Sequence, residues 1–578
     1  MSKKRIVLIV SSLSGIFLLL AGVLWLFFQS EDKRFESCLT SFFCQELSGN
    51  TLTLHYTLKN PQAYGLDNVP VSLGSFGISS SDYSASLENT IQRISSYDRS
   101  RLSEENQLTY DVLLEYLETS LDSAPYLLYE EPLTPLTGVQ SQLPILLSEY
   151  PFYDNNDIDI YLELLSQIPA YFTSLLEFES AKSEAGLFMP SYCVDTILEE
   201  CRAFLDQGDD CYLYDTFISR LEELKLSDSE KKEYIDAHKS AIESSVFPAY
   251  TLLADGLSSM ENNGMNQEGL CHLPGGKDYY QALTASETGS TRTIPELQEL
   301  TVRQMNDDLS AMQRIYASLP EDPSLSSDLM NPQGIAFEES NPAAILSGLE
   351  GKLSDDFPSS PDVSVKIKYV QESMEEYLSP AFYMIPPIDH SSDNVIYINR
   401  GHMPDDLTLF TTLAHEGYPG HLYQTVYYAS QDPPPVRSLL NYGGYTEGWA
   451  TYSEMISYYY APISKEQATL FQKNSSLILG LYALADMGIH YDGWSLADTV
   501  VFFQSYGITD TNTIQDIYEL IVADPANYLK YYIGYLEFLE LKKDAIDAWG
   551  KDFSQIRFHQ EVLTLGPASF DLLRDYMF

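Results

Sequence analysis

Residues 411–424 read TTLAHEGYPGHLYQ, and the Pro419-Gly420 pair in this stretch forbids a continuous helix through it. Proline has no N–H to donate, and its ring collides with the carbonyl four residues earlier, here that of His415. A helix running into this stretch must bulge or break. His415 and Glu416 stand before the proline and His421 after it. In H-E-x-x-H the two histidines sit at i and i+4, on one helix face. Here they sit at i and i+6, roughly 120° apart on an ideal helix at about 100° per residue. A regular helix cannot aim both at one ion. A helix widened by two residues at Pro419 can, and Gly420 lets the chain turn tightly beside them.

A second stretch, GGYTEGWATYSE, places Glu447 twenty-six residues beyond His421. Two imidazoles and a carboxylate leave a fourth position for water on Zn²⁺, one ion per chain, and Glu416 is the candidate to take that water's proton. Glu454 lies seven residues after Glu447, on the same helix face, where it would orient a ligand histidine or remain a solvated acid. A capped helix end with two satisfied imidazoles explains HEGYPGH alone. The later glutamates favour the metal.

Acidic residues outnumber basic ones 83 to 33 in 578 residues, a formal charge of −50. Phosphate backbones need Lys and Arg, so nucleic acid is not an expected partner. With 44% hydrophobic residues the charge rides on a globular body. Lys3, Lys4 and Arg5 precede Ile6–Phe28, an apolar run without a charge. At about 1.5 Å per residue it spans a bilayer of roughly 30 Å, with the basic end in the cytoplasm. The expectation is a single-pass anchor over residues 1–28, a juxtamembrane linker over 29–50 and an extracellular body over 51–578; the alternative is a cleaved signal. No cysteine directly follows the apolar run, as lipid attachment would need. The six cysteines are Cys38, Cys44, Cys193, Cys201, Cys211 and Cys271. Cys38–Cys44 and Cys201–Cys211 are candidates for local bridges, with free buried thiols as the alternative.

Apolar residues at helical spacing over 86–122, 158–184, 192–206, 212–224 and 228–260 predict a mainly α fold. Strand-like alternation is confined to TLTLHYTL (51–58) and NVIYINR (394–400). Residues 261–294 read as a loop, and the proline-rich stretch 319–362 as a candidate lobe boundary or a long surface loop. Asp405 or Asp406 caps a helix that buries Leu407, Phe410 and Leu413 and carries His415 near its end.

HEGYPGH, YGGYTEGWATYSE, DMGIHYDGWSLADTV (486–500), YYIGYLEFLELKKDA (531–545), FHQEVLTLGPAS (558–569) and LPGGKDYYQAL (273–283) together resemble the bacterial family called domain of unknown function 885. The resemblance runs from roughly residue 80 to the C terminus. It implies a helical zinc metallopeptidase related to the thermolysin-like superclan, with two lobes flanking a deep cleft, as in thimet oligopeptidase, angiotensin-converting enzyme and the helical carboxypeptidases. Dipeptidyl peptidase III, whose histidine motif is one residue longer, shows that the spacing varies in such enzymes. Matched by position, His415, His421 and Glu447 resemble ligands and Glu416 the base. Tyr531 and His490 match family positions that are candidates to donate to the developing oxyanion. The bland alternatives are a packed tyrosine and a histidine bonding a carbonyl at a helix end. His559 also matches and reads as structural. LILGLYALADMGIH lacks the basic residue expected there in many family members; if that residue binds a substrate carboxylate, the substrate preference here differs.

The expected function is a membrane-anchored zinc peptidase acting on peptides. Two alternatives stand beside it: a surface binding protein with a vestigial metal site, and a metal amidohydrolase acting on a non-peptide amide.

Overall fold

The computed structural model describes residues 31–135, 137–260, 266–318, 329–370, 375 and 379–578. The expected anchor, 6–28, lies outside the described residues. Among those described, no helix is long and apolar enough to cross a membrane.

The fold is mainly α, as the apolar spacing implies. Eight of its helices frame the cores and the candidate site: α1 (Glu31–Leu47), α2 (Asn155–Glu184), α3 (Ile294–Ser318), α4 (Asp406–Glu416), α5 (His421–Ala429), α6 (Gly443–Ser457), α7 (Lys465–Met487) and α8 (Asn527–Trp549). They pack around two apolar cores. The smaller is built on α2, whose Ile158, Tyr161, Leu165, Ile168, Phe172 and Leu175 recur at helical spacing. The larger gathers α1, α3 and nearly everything after residue 270. The chain crosses between cores from Leu117 to Leu133 and returns from Leu257 to Leu270. The expected boundary at 319–362 is not where the cores divide: Leu346, Leu349 and Phe357 of that stretch are buried in the larger core.

A three-stranded sheet partitions the two cores. Its order is β1 (Ser364–Tyr369), β3 (Asp393–Ile398), β2 (Ala381–Met384), with β1 parallel and β2 antiparallel to β3. Side chains alternate across a strand. Tyr383, Ile396 and Ile398 therefore enter the larger core, while Phe382, Val395 and Tyr397 face the smaller. Burial on both faces explains the near-continuous apolar run in NVIYI.

Several elements differ from expectation. The described part of the expected linker, 31–50, is no linker: α1 buries Phe35, Leu39, Phe42, Phe43 and Leu47 in the larger core. TLTLHYTL is a helix over Thr51–Thr57, started by Asn50, whose side chain accepts the Thr53 N–H. It lies between both cores, sending Leu52 to one and Leu54 to the other, so apolar residues on two helix faces imitate strand alternation. The expected helix at 86–122 is two, Ser80–Ser95 and Glu104–Ser123, the second capped by Ser103. Within the expected loop at 261–294, Gly276–Thr288 is helical. All six cysteines are free thiols, with Cys193, Cys201 and Cys211 buried in the smaller core.

Helices α6 and α8 touch backbone to backbone. A Cβ on Gly448 would lie 2.5 Å from Gly534 Cα, and one on Gly534 would lie 2.2 Å from the Gly444 carbonyl. Only glycine permits this approach. It seats α6, which carries Glu447, directly against α8, which carries Tyr531.

Candidate metal centre

Asp405 caps α4 by accepting the Thr408 N–H at 2.8 Å, and Leu407, Phe410 and Leu413 are buried, as their spacing implies. The helix ends at Glu416. The chain then makes an elbow over 417–420, with a cis Tyr418–Pro419 peptide, and restarts as α5 at His421. Of bulge and break, the chain adopts the break. Gly420 donates to the Ala414 carbonyl at 2.9 Å, and a Cβ there would stand 1.8 Å from the His415 carbonyl oxygen. Glycine is therefore obligatory at the turn. The elbow is clamped from α6: Trp449 Nε1 and Ser453 Oγ, four residues apart, both donate to the Pro419 carbonyl, at 2.8 and 3.1 Å.

The break brings the three proposed ligands together. Donor atoms of His415, His421 and Glu447 all lie within 4.8 Å of one another. Glu447 Oε2 is 3.7 Å from His415 Nε2 and 3.3 Å from His421 Nε2. The two imidazole rings are 4.9 Å apart and nearly perpendicular, at 79°. Donors held about 2.1 Å from one tetrahedral ion lie about 3.4 Å apart, so these separations fit a shared Zn²⁺. The donor chemistry fits as well, two imidazole nitrogens and one carboxylate. Glu454 Oε2 lies 3.2 Å from His415 Nδ1, which leaves Nε2 turned toward Glu447. That carboxylate–histidine pairing is the usual support of a ligand imidazole.

The electrostatics describe a site that holds positive charge. Burial alone would pull His415 down, but the Glu447 and Glu454 carboxylates outweigh it and hold the imidazole well above its ordinary value. Burial would raise Glu447, yet His415 and His421 hold it well below the usual carboxylate range. Glu416 is raised by burial, partly offset by the two histidines. Its Oε2 accepts the backbone N–H of Tyr383, on β2, at 2.9 Å. Nothing in the sequence marks that contact, because a backbone donor carries no residue signature.

Tyr531 belongs to this neighbourhood. Burial first, then the charges of Glu447 and Glu416, keep its hydroxyl protonated well above the ordinary tyrosine range. His490 does not. Its Nε2 donates to the Ile521 carbonyl at 2.8 Å, its Nδ1 accepts the Leu270 N–H at 3.2 Å, and it is fully buried. Both nitrogens are used in joining segments of the fold, and burial lowers the ring to about 4. The expected oxyanion role for His490 is therefore replaced by a structural one. His559 is structural as read, held between the Asp356 carbonyl at 2.7 Å and the Tyr452 hydroxyl at 2.9 Å.

Relatives share this architecture. The family model described as "Bacterial protein of unknown function (DUF885)" matches residues 80–577. The chain belongs to the DUF885 family. Two solved structures resemble this DUF885 protein along its length. The first is the crystal structure of a "putative lipoprotein" from Colwellia psychrerythraea, with TM-score 0.80 at 18% identity, covering 94% of this chain and 98% of that one. The second is a "putative lipoprotein of unknown function" from Shewanella oneidensis, with TM-score 0.64 at 15% identity, covering 94% and 99%. At these identities the likeness shows that the DUF885 fold is shared. No curated protein matches this DUF885 chain.

Proposed function

We propose that this protein is a zinc-dependent peptidase attached to the membrane with its body outside the cell. One observation carries the reading: His415, His421 and Glu447 converge across a broken helix, with Glu416 beside them and anchored from β2. Zn²⁺ held by those three would supply the Lewis acidity that lets water lose a proton near neutral pH. Tyr383 fixes Glu416 Oε2, and the second carboxylate oxygen takes the water proton and hands it to the leaving nitrogen. The Tyr531 hydroxyl donates to the carbonyl oxygen as it gains negative charge. Glu454 keeps His415 in the tautomer that presents Nε2.

The two structural relatives, described as lipoproteins, support a protein exported and attached to the membrane. In this chain the proposed attachment is the charge-free run 6–28.

The test is digestion of a mixed peptide library with cleavage sites mapped by mass spectrometry, with and without chelator, alongside metal analysis. The expected result is chelator-sensitive cleavage by a protein holding one zinc. Glu416→Gln should keep the zinc and lose about 10²- to 10⁴-fold in rate. Stoichiometric zinc with no cleavage of any peptide would turn the reading to a binding protein.

A further inference from the structure

A groove of about 660 Å³ opens beside the metal centre, a volume in the range of ligand sites. Its floor is α5. The half-exposed residues of that helix, His421, Thr425, Tyr428 and Ala429, recur at helical spacing and form one stripe that begins at the proposed ligand. Thr425, Tyr428 and Ala429 line the groove, and so does Thr446, the neighbour of Glu447. The groove thus runs along the two helices that carry His421 and Glu447, although neither residue lines it. Leu39 and Phe43 of α1 also line it, as does Ile385, which directly follows β2 and is 62% exposed.

At the Tyr428 end stands Arg437. It is the single cation among the described lining residues, which also include the acids Glu36, Glu105 and Asp432, and is only 3% exposed. Its guanidinium carbon is 5.6 Å from the Tyr428 ring centre. One terminal nitrogen donates to the Leu565 and Pro567 carbonyls, at 3.0 and 2.6 Å. Its Nε–H is buried with no hydrogen-bond partner. A buried guanidinium N–H left without an acceptor is costly to hold. Two carbonyls account for its position but leave the Nε–H unanswered.

We infer that the groove receives the C-terminal end of an extended peptide, with apolar side chains against α1 and Ile385 and the terminal carboxylate on Arg437. The inference rests on the peptidase reading for where the chain is cut. Tyr428 follows His421 by seven residues, about 10 Å of helix, which an extended peptide covers in about three residues. The released fragments should therefore be about two to four residues long.

The experiment uses the full zinc-loaded chain and a fluorescent heptapeptide with a Leu- and Phe-rich C-terminal half, prepared as free acid and as amide. Binding to the Glu416→Gln variant is followed by anisotropy, and cleavage by the wild type by mass spectrometry. The free acid should bind at least tenfold tighter than the amide, and the products should be short C-terminal fragments. Arg437→Gln should abolish the preference for acid over amide, and Arg437→Lys should restore part of it. A purely structural defect would weaken both peptides and keep their ratio, which would overturn the assignment. Equal affinity of acid and amide in the Glu416→Gln background would overturn it without recourse to any Arg437 variant. Internal cleavage indifferent to the C terminus would sink the groove assignment and leave the peptidase intact. A strong acid preference with no cleavage would do the reverse.

Discussion

Trp449 donates its indole N–H to the Pro419 carbonyl across 2.8 Å, and this contact ties the helix carrying Glu447 to the elbow between His415 and His421. The contact thus helps hold the three proposed ligands relative to one another. Trp449→Phe keeps most of the buried ring and removes the donor. Ser453 still reaches the same carbonyl, so the cost in stability should be about 1 kcal/mol, near the net worth of one hydrogen bond. The elbow should loosen more than the fold does. Zinc affinity, measured by competition with a chromophoric chelator, should fall at least several-fold while the melting temperature moves by only a few degrees.

Glu454 is expected to act through His415 alone. Replacing it with alanine removes the partner of Nδ1, frees the ring to rotate and lowers its basicity. Supports of this kind are worth about 10- to 100-fold in metal affinity. Isothermal titration with zinc should show that loss in Glu454→Ala, with a circular dichroism spectrum unchanged from wild type. Unaltered affinity would make Glu454 a solvated helix acid.

What the sequence disclosed about this centre, and what it kept back, is decided by the range of the forces involved. The clash of Pro419 with the carbonyl of His415 is local, so the interruption between the histidines could be read from residue order, as could the cap at Asp405. The break rather than a bulge was not legible, because it depends on Trp449 and Ser453 arriving from α6. The anchoring of Glu416 was hidden for a similar reason: β2 is four residues long and its contact is a backbone N–H. His490 misled in the opposite direction. A histidine in a recognisable motif looked chemical, yet its two nitrogens hold Leu270 and Ile521 together. At Thr51–Thr57 the alternating pattern suggested a strand because the helix contributes leucines to two cores at once.

Beside His490 lies a buried acid with a consequence for pH. Burial raises Asp486 to about 7, against the opposing hydrogen bonds from Tyr280 and the Ala526 N–H. In the unfolded chain the same group titrates near 3.8. Between these values the folded state keeps a proton that the unfolded state has released, so stability falls as pH rises, by at most about 1.4 kcal/mol per unit. Below the window both states are protonated and the penalty vanishes; above it the full penalty applies. His490, lowered to about 4, contributes the opposite slope between its ordinary value and 4. Asp486→Asn removes only the first term and retains an acceptor for Tyr280. Urea unfolding from pH 4 to 8 should therefore show the variant gaining on wild type as pH rises. A constant difference across that range would place the Asp486 proton elsewhere.

The α6–α8 contact makes the last prediction, because it joins fold to site. A methyl on Gly448 would meet Gly534 Cα at 2.5 Å, and backbone cannot swing aside as a side chain can. Gly448→Ala must push the helices apart, opening the packing of Tyr445 and Trp449 against Phe538. A loss of about 1–3 kcal/mol or more is expected. Glu447 precedes Gly448 directly, so the same displacement should draw its carboxylate away from His415 and His421 and weaken zinc binding together with stability. Gly534→Ala strains the same contact from the other side, against the Gly444 carbonyl at 2.2 Å. Once one methyl has separated the helices, the second enters space already opened. The double variant should therefore lose less than the two single losses added, a coupling readable from urea midpoints. Simple additivity would mean that each methyl is relieved by its own local shift, and zinc affinity would then survive in Gly534→Ala.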